Sequence, residues 1–303
     1  IAPPAAETKP ALTMAGIDSS IGALYATVAV GNMDSDSQDE IVVCGGKRST
    51  GQGSIYVFDG NGTVKSGWPK HMSGPFSASP ALADLNEDGQ LEIIAVSERD
   101  TVYVYRRNGT QLSGWTNGKY ADVIDIVTPS PAIGDIDNDG HLEVVIATVN
   151  GIMAWNHDGT TVTGFPYQGI NRPSSPVLAD VDGNNDIEII VGSFDRKIYA
   201  IKSNGTLTHG WPVSIDPLVN TAIAVGDVDQ NGYNELIFGG YDFKVYQFQT
   251  TGSATKIEWG SFHNDLANTG RSQYVFEPMK YAKGNDDNND LPLTYDLFPN
   301  YPN

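Results

Sequence analysis

Five times along the 303-residue chain a short run of small apolar residues leads into an acidic loop, and the loop into a longer β-branched run. The small-residue runs are 26–30, 78–83, 130–134, 175–179 and 221–226, and the β-branched runs are 40–44, 91–97, 142–148, 187–193 and 235–240. A third run with aromatic alternation follows at 54–58, 101–105, 151–155, 197–201 and 244–248. Runs of four to eight residues with alternating or β-branched character, bounded by turn residues, predict strands. No window sustains a helical period. The bounding turns are Asn61-Gly62, Asn108-Gly109, Asp158-Gly159, Asn204-Gly205 and Thr251-Gly252. Each unit ends in a glycine–aromatic element: Gly67-Trp68-Pro69, Gly114-Trp115, Gly164-Phe165-Pro166, Gly210-Trp211-Pro212 and a looser Glu258-Trp259-Gly260.

Aligned on the first residue of each acidic loop, the units start at Asn32, Asp84, Asp135, Asp180 and Asp227, with spacings of 52, 51, 45 and 47 residues. A period of 40–50 residues marks an array of supersecondary units. Three strands plus a short final element per unit predict an all-β fold, a β-propeller of four-stranded blades with five blades countable. The cation loop lies between the first two strands of each blade. The first strand is built of small residues because inner strands crowd the axis, and the recurring Trp or Phe is expected to pack between blades. Residues 1–20 read as a linker with a closing strand near 12–17, and 21–276 as the propeller. Residues 262–271 break the pattern and are expected to pack over the last blade or help close the ring, with a strand at 272–276. Residues 277–290 have the composition of an acidic, solvated linker.

The loops carry the chemistry. Oxygen-bearing side chains recur at positions 1, 3, 5 and 9: Asn32, Asp34, Asp36 and Glu40; Asp84, Asn86, Asp88 and Glu92; Asp135, Asp137, Asp139 and Glu143; Asp180, Asp182, Asn184 and Glu188; Asp227, Asp229, Asn231 and Glu235. Position 7 offers a backbone carbonyl, at Gln38, Gln90, His141, Asp186 and Tyr233. Alternate carboxylates around a tight turn suit calcium, which takes six to eight oxygens. Up to five ions are expected, one per blade. Glycine at position 6 is replaced by Ser37 and Asn185 in the first and fourth loops, and the fourth has Gly183 at position 4. By charge the third loop is the strongest candidate and the first, with Asn32 and no glycine, the weakest. An EF-hand is excluded, since position 12 is apolar and the flanks are strands. The alternative is that these acids only shape polar turns through Asx hydrogen bonds.

Composition supports this picture. The net charge is −19, and sixteen of the 37 acidic residues sit at the four loop positions, so five divalent cations would leave −9. That charge argues against nucleic acid and anionic membrane surfaces. No apolar run is long enough to span a bilayer. The lone Cys44, in an apolar run, reads as a buried small hydrophobe. The chain opens at Ile1 with no signal-peptide pattern, as a mature form or a fragment would.

The repeated Asp-x-Asp-x-Asp-Gly-x-x-Glu pattern between strands resembles the FG-GAP/VCBS repeat family, related to the calcium-bearing blades of integrin α-subunit heads. The resemblance implies a calcium-stabilised propeller used for adhesion, ligand binding or as an accessory to a secreted enzyme. Integrin-like propellers usually have seven blades, so either the ring is smaller or blades lie outside the chain. Residues 291–303, ending Phe298-Pro299-Asn300-Tyr301-Pro302-Asn303, resemble the opening of type IX secretion C-terminal sorting domains. That resemblance implies an exported protein of the bacterial cell surface.

No catalytic set stands out. His71, His141, His157, His209 and His263 fall at unlike positions in their units, and no nucleophile or phosphate-loop motif is present. Arg48, Arg99, Arg106, Arg107, Arg172 and Arg196, with Tyr120, Tyr167 and Tyr241, are non-repeated and so candidates for a ligand surface. The expected function is a non-catalytic, calcium-stabilised extracellular module that binds a protein or glycan at the propeller rim or joins partner chains in a surface assembly. A lectin, or an accessory propeller of a secreted hydrolase or polysaccharide lyase, is the alternative.

Overall fold

The computed structural model describes residues 24, 26–34, 36, 38–99, 101–120, 129–219, 221–264 and 269–272. In these the repeats form five antiparallel sheets, and the regular structure is strand throughout. The first sheet is β1 (Ala29–Gly31), β2 (Glu40–Lys47), β3 (Gln52–Phe58) and β4 (Lys70–Ser73). The second is β5 (Ala81–Ala83), β6 (Glu92–Val96), β7 (Thr101–Tyr105) and β8 (Lys119–Tyr120). The third is β9 (Ala132–Gly134), β10 (Glu143–Thr148), β11 (Gly151–Trp155) and β12 (Tyr167–Gln168). The fourth holds β13 (Val177–Ala179), β14 (Glu188–Gly192), β15 (Lys197–Ile201) and β16 (Val213–Ser214), and the fifth β17 (Ala224–Gly226), β18 (Tyr233–Gly239) and β19 (Val245–Ser253). Within each of these sets the strands pair in chain order, as up-and-down blades require. The strand at 12–17, the linker at 277–290, the sorting-type stretch at 291–303 and most of the strand at 272–276 lie outside the described residues.

Neighbouring sheets face one another, which explains why the middle strands read as continuous apolar runs. Strands β6, β10 and β14 are buried along their whole length, one face against each adjacent blade. The glycine–aromatic elements make the junctions. Trp68 packs edge-on against Tyr105 of the next blade at 5.7 Å and Trp211 edge-on against Phe248 at 5.9 Å, and Trp115 packs tilted against Trp155 at 6.2 Å between ring centroids. Two of the indoles also donate across the junction, Trp68 to the Arg107 carbonyl at 2.8 Å and Trp115 to the His157 carbonyl at 2.9 Å. The preceding glycine is required by close approach. A Cβ at Gly114, which has φ of 83°, would lie 1.8 Å from the Asp158 carbonyl oxygen in the turn of the following blade. Cys44 is buried in the first sheet, and burial raises its thiol pKa.

The structure corrects one element. Glu258-Trp259-Gly260 does not close the fifth blade, which has three strands among the described residues. Residues Ile257–Trp259 form β20, which pairs antiparallel with the inner strand β13 of the fourth sheet. The chain then passes along the inner strands. The Val225 amide donates to the Gly260 carbonyl at 2.7 Å, the Val30 amide to Thr269 at 2.8 Å and the Leu82 amide to Gly270 at 2.7 Å. At the remaining inner strand, a Cβ at Gly134 would meet Glu258 Cβ at 2.7 Å. An inner strand turns one unpaired edge toward the axis, and these central residues supply the missing acceptors. The reading of 262–271 as a capping segment is refined accordingly: its described part bridges the inner strands of the first and second blades.

The described strands do not close the ring. The inner strands lie side by side from β1 to β5, β9, β13 and β17. A Cβ at Gly31 of β1 would meet Leu82 and Leu91 of the second blade, whereas at the matching Gly226 of β17 nothing lies within 4 Å. The fifth sheet accordingly alternates exposed and half-buried along β19. Trp259, buried among residues of the second, third and fourth sheets, joins the central segment to the core. Trp259→Ala is expected to cost about 3–5 kcal/mol and to lower the melting temperature in one cooperative transition. A loss under about 1 kcal/mol in a urea titration would show that the segment is peripheral.

Candidate metal centre

Each acidic loop connects the first and second strands of its blade, and the five loops share one hydrogen-bond scheme. The position-9 glutamate opens the second strand in four of the blades and is buried in every one. One of its oxygens, Oε2, accepts the position-2 amide: Met33 to Glu40 at 2.7 Å, Leu85 to Glu92 at 3.0 Å, Ile136 to Glu143 at 3.0 Å, Val181 to Glu188 at 3.0 Å and Val228 to Glu235 at 2.7 Å. The position-5 side chain accepts the position-7 amide in all five, Gln38, Gln90, His141, Asp186 and Tyr233 being the donors. In loops two to five the position-1 carboxylate accepts the position-6 amide, from Gly89, Gly140, Asn185 and Gly232. The Asx turns offered as an alternative are therefore real. They hold the acids in place and leave further oxygens to account for.

The backbone reaches this geometry through two left-handed residues, one more than glycine placement suggested. Position 6 has φ of 81° at Gly89, 92° at Gly140, 67° at Asn185 and 91° at Gly232. Position 4 is also left-handed, at 58° for Glu87, 59° for Asn138, 82° for Gly183 and 61° for Gln230. Gly183 is thus no displaced copy of the position-6 glycine, because it relieves the second left-handed site while Asn185 tolerates the first.

The decisive atoms are the other glutamate oxygens. Oε1 of Glu143, Glu188 and Glu235 is buried with no hydrogen-bond partner. A buried unpaired carboxylate oxygen is costly, and a cation at that point satisfies it. The surrounding donors fit one. Asp135, Asp137 and Glu143 place oxygens within 4.8 Å of one another, as do Asp180, Asp182 and Glu188, and Asp227, Asp229 and Glu235. Without an ion the acids repel. Glu143 is pushed up to about 9 by burial, with the charges of Asp137, Asp139 and Asp135 adding to it. Burial first and neighbouring aspartates second raise Glu92 to about 7 and Glu188 to about 7.

The other two loops differ. In the second, the Asn86 amide nitrogen donates to Glu92 Oε1 at 3.0 Å while its oxygen accepts the Asp88 amide at 2.9 Å. In the first, Asp34, Asp36 and Glu40 also cluster, but the Lys65 ammonium bonds Asp34 at 2.7 Å and Glu40 Oε1 at 3.1 Å. Sequence reading ranked this loop last on Asn32 and the missing glycine. It did not find Lys65, which is 25 residues from Glu40 in sequence. Ser37 lies outside the described residues.

The remaining candidates do not converge. Arg48 forks onto Glu98 at 2.7–3.0 Å, Arg99 bonds Ser73 at 3.1 Å, Arg106 stands 4.0 Å from Asp88, and Arg107 bonds Gln90. Arg172 and Arg196 sit in separate left-handed turns, and Tyr167 lies on β12. His71 meets Ser54 at 2.8 Å, His141 meets Glu87 at 2.5 Å beside His157, and His263 is buried. Tyr241 is exposed and packs edge-on with Phe194 at 6.0 Å. The Tyr120 side chain lies outside the described residues.

A family model described as FG-GAP-like repeat matches residues 32–95, 84–146 and 135–191, together just over half of the chain. Each window runs from one acidic loop to the second strand of the next blade. No curated protein matches the chain. Among solved structures, the V. cholerae biofilm matrix protein Bap1 is 25% identical with a TM-score of 0.47, covering 68% of this chain and 31% of its own. BBS1N in its complex with ARL6DN is 12% identical, with a TM-score of 0.45, covering 73% of this chain and 65% of that one. A Bacteroides caccae protein of unknown function is 14% identical, with a TM-score of 0.41, covering 70% of this chain and 69% of that one. The chain spans less than a third of the length of Bap1.

Glu143 gives a pH test whose sign is fixed. Its folded value of about 9 lies above the ordinary 4.5, so its contribution is full below 4.5 and is lost as pH rises toward 9. Of the stability that metal-free protein loses between pH 5 and pH 8, Glu143 is expected to account for roughly 2–4 kcal/mol, and Glu143→Gln to remove that share. Urea titrations in chelator at the two pH values measure it. Equal slopes for wild type and variant would contradict the assignment.

Proposed function

The chain belongs to the FG-GAP-like repeat family, and on that premise we propose that it is a non-catalytic, calcium-stabilised extracellular propeller that binds a protein or glycan ligand. The observation that carries the reading is the unpaired glutamate oxygen repeated in register in the third, fourth and fifth blades. A feature repeated in this way serves the scaffold, since a catalytic centre needs one convergent set. The donors are oxygens from Asp, Asn and Glu, with no thiolate or imidazole ligand among the candidates, which favours a hard cation of calcium type over zinc or copper. Bound calcium would tie the first strand to the second by holding position-1 and position-3 oxygens against the position-9 glutamate. Loops of this sort reach useful occupancy at the millimolar calcium of extracellular fluids. Export is supported further by the sorting-domain resemblance at residues 291–303. Among the described residues no helix is long and apolar enough to cross a membrane.

The ligand surface is assigned to the fifth blade. Tyr241, Phe243 and Val245 are exposed together at the β18–β19 turn, Phe243 completely, and Val228 and Tyr233 are exposed at the opposite end of the same sheet. Concentrated exposed apolar side chains mark interaction sites. Three of them are aromatic and able to stack on a sugar face or fill a protein pocket, which keeps the lectin reading alongside protein binding. An accessory role beside a secreted hydrolase or lyase domain is compatible with the same surface.

Calcium added to chelated protein at about a hundredfold its Kd stabilises by about 2.7 kcal/mol per site. With three sites filled, the melting temperature is expected to rise by more than about 10 °C. An unchanged melt after verified metal removal contradicts the calcium reading. For the ligand surface, the double variant Tyr241→Ser, Phe243→Ser is expected to weaken binding to a glycan or protein array at least tenfold without moving the melt. Retained binding would place the ligand elsewhere.

A further inference from the structure

We infer that the first blade dispenses with a bound ion, because the Lys65 ammonium occupies the cation position of its loop. The inference deepens the reading of the loops as cation sites and rests on it for the comparison with the other blades. Lys65 Nζ lies 2.7 Å from Asp34 Oδ2, 3.1 Å from Glu40 Oε1 and 2.6 Å from Asp59 Oδ1. Three carboxylates thus converge on one ammonium whose side chain is 13% exposed. Glu40 Oε1 is the counterpart of the atoms left unpaired in Glu143, Glu188 and Glu235. In this blade alone a lysine side chain satisfies it.

Only the fourth blade has a related contact, Lys202 bonding Asp182 at 3.2 Å while Glu188 Oε1 stays without a partner, so a lysine bridging the glutamate is confined to the first. The Lys65 amide donates to Val57 at 2.8 Å, as Leu112 does to Val104, Val162 to Ala154 and Thr208 to Ala200, each at 3.0 Å. These hydrogen bonds place Lys65 at a site that buried Leu112, Val162 and Thr208 occupy in the next three blades. Its partner Asp59 directly follows the third strand, where the next three blades have Arg106, Asn156 and Lys202. The first loop has also lost the position-1 carboxylate, which is Asn32. One acid has gone from the loop, one has appeared beyond the third strand, and a lysine stands between them. The ammonium has about the size and hydrogen-bonding capacity to serve three oxygens at once; burial works against its charge, and the three anionic partners hold it protonated. Asp34 is lowered chiefly by its hydrogen bond to Lys65.

The test uses the whole chain and two variants. In chelator, Lys65→Met strands Glu40 and Asp34, and the melting temperature is expected to fall by roughly 5–15 °C, with recovery in the double variant Lys65→Met, Glu40→Gln. In about 2 mM calcium, a range in which extracellular modules bind, native mass spectrometry is expected to find the same ion count in wild type and Asp34→Asn. A Lys65→Met protein as stable as wild type in chelator would overturn the inference, and so would loss of one ion in Asp34→Asn. If wild type binds no ion at all, the calcium reading of the other blades fails while the chelator arm still decides the role of Lys65.

Discussion

Each blade buries one glutamate between its first two strands, and the fold depends on how the two oxygens of that carboxylate are satisfied. The position-2 amide takes one oxygen in all five blades, which pins the loop to the second strand. The other oxygen has three different solutions. Lys65 takes it in the first blade and Asn86 in the second, and in the next three it has no partner within the chain. A buried carboxylate left half-satisfied among other carboxylates is worse than a hydrophobic replacement. Its recurrence in three blades supports the proposal of a cation brought from outside. The Asx hydrogen bonds around the loop do not compete with this role, since they use the aspartates' remaining oxygens to fix where each ligand points.

The sequence was legible where period and turn chemistry spoke together. The runs at 101–105, 151–155 and 197–201 match β7, β11 and β15 residue for residue, because alternating aromatic strands between turn dipeptides carry a local signal. The first strands were placed two or three residues too early at their N-terminal ends, since small residues there pack closely at the axis without pairing. Trp68, Trp115 and Trp211 were readable as junction residues from their recurrence alone. The segment from Ile257 onward was misplaced, because Trp259 imitates the glycine–aromatic element while its pairing partner, Leu178, lies some eighty residues earlier. The second left-handed residue at position 4 was hidden in the same way. Glu87, Asn138 and Gln230 occupy it without glycine, and only Gly183 advertises it.

Departures from the repeat are more informative than the repeat. The shared positions build a scaffold in which each blade buries its neighbour and a central segment answers the inner-strand edges. Lys65 and Asp59 show that one blade solved its charge problem internally. The exposed aromatics of the fifth blade, and the empty space beside Gly226, mark the face where the array stops burying itself. Arg48 with Glu98, and Glu87 with His141, join neighbouring blades at points the repeat does not specify. Function assigned to the scaffold positions and function assigned to the unrepeated surface are therefore separable by mutation.

The central claim is that the chain's own unpaired glutamate oxygens dictate where ions sit. Anomalous diffraction from crystals grown in calcium tests it most directly. The account predicts peaks beside Glu143, Glu188 and Glu235, each within bonding distance of Oε1, and none between Asp34 and Glu40. Absence of peaks at those three glutamates, or a peak displacing Lys65 in the first loop, would contradict it.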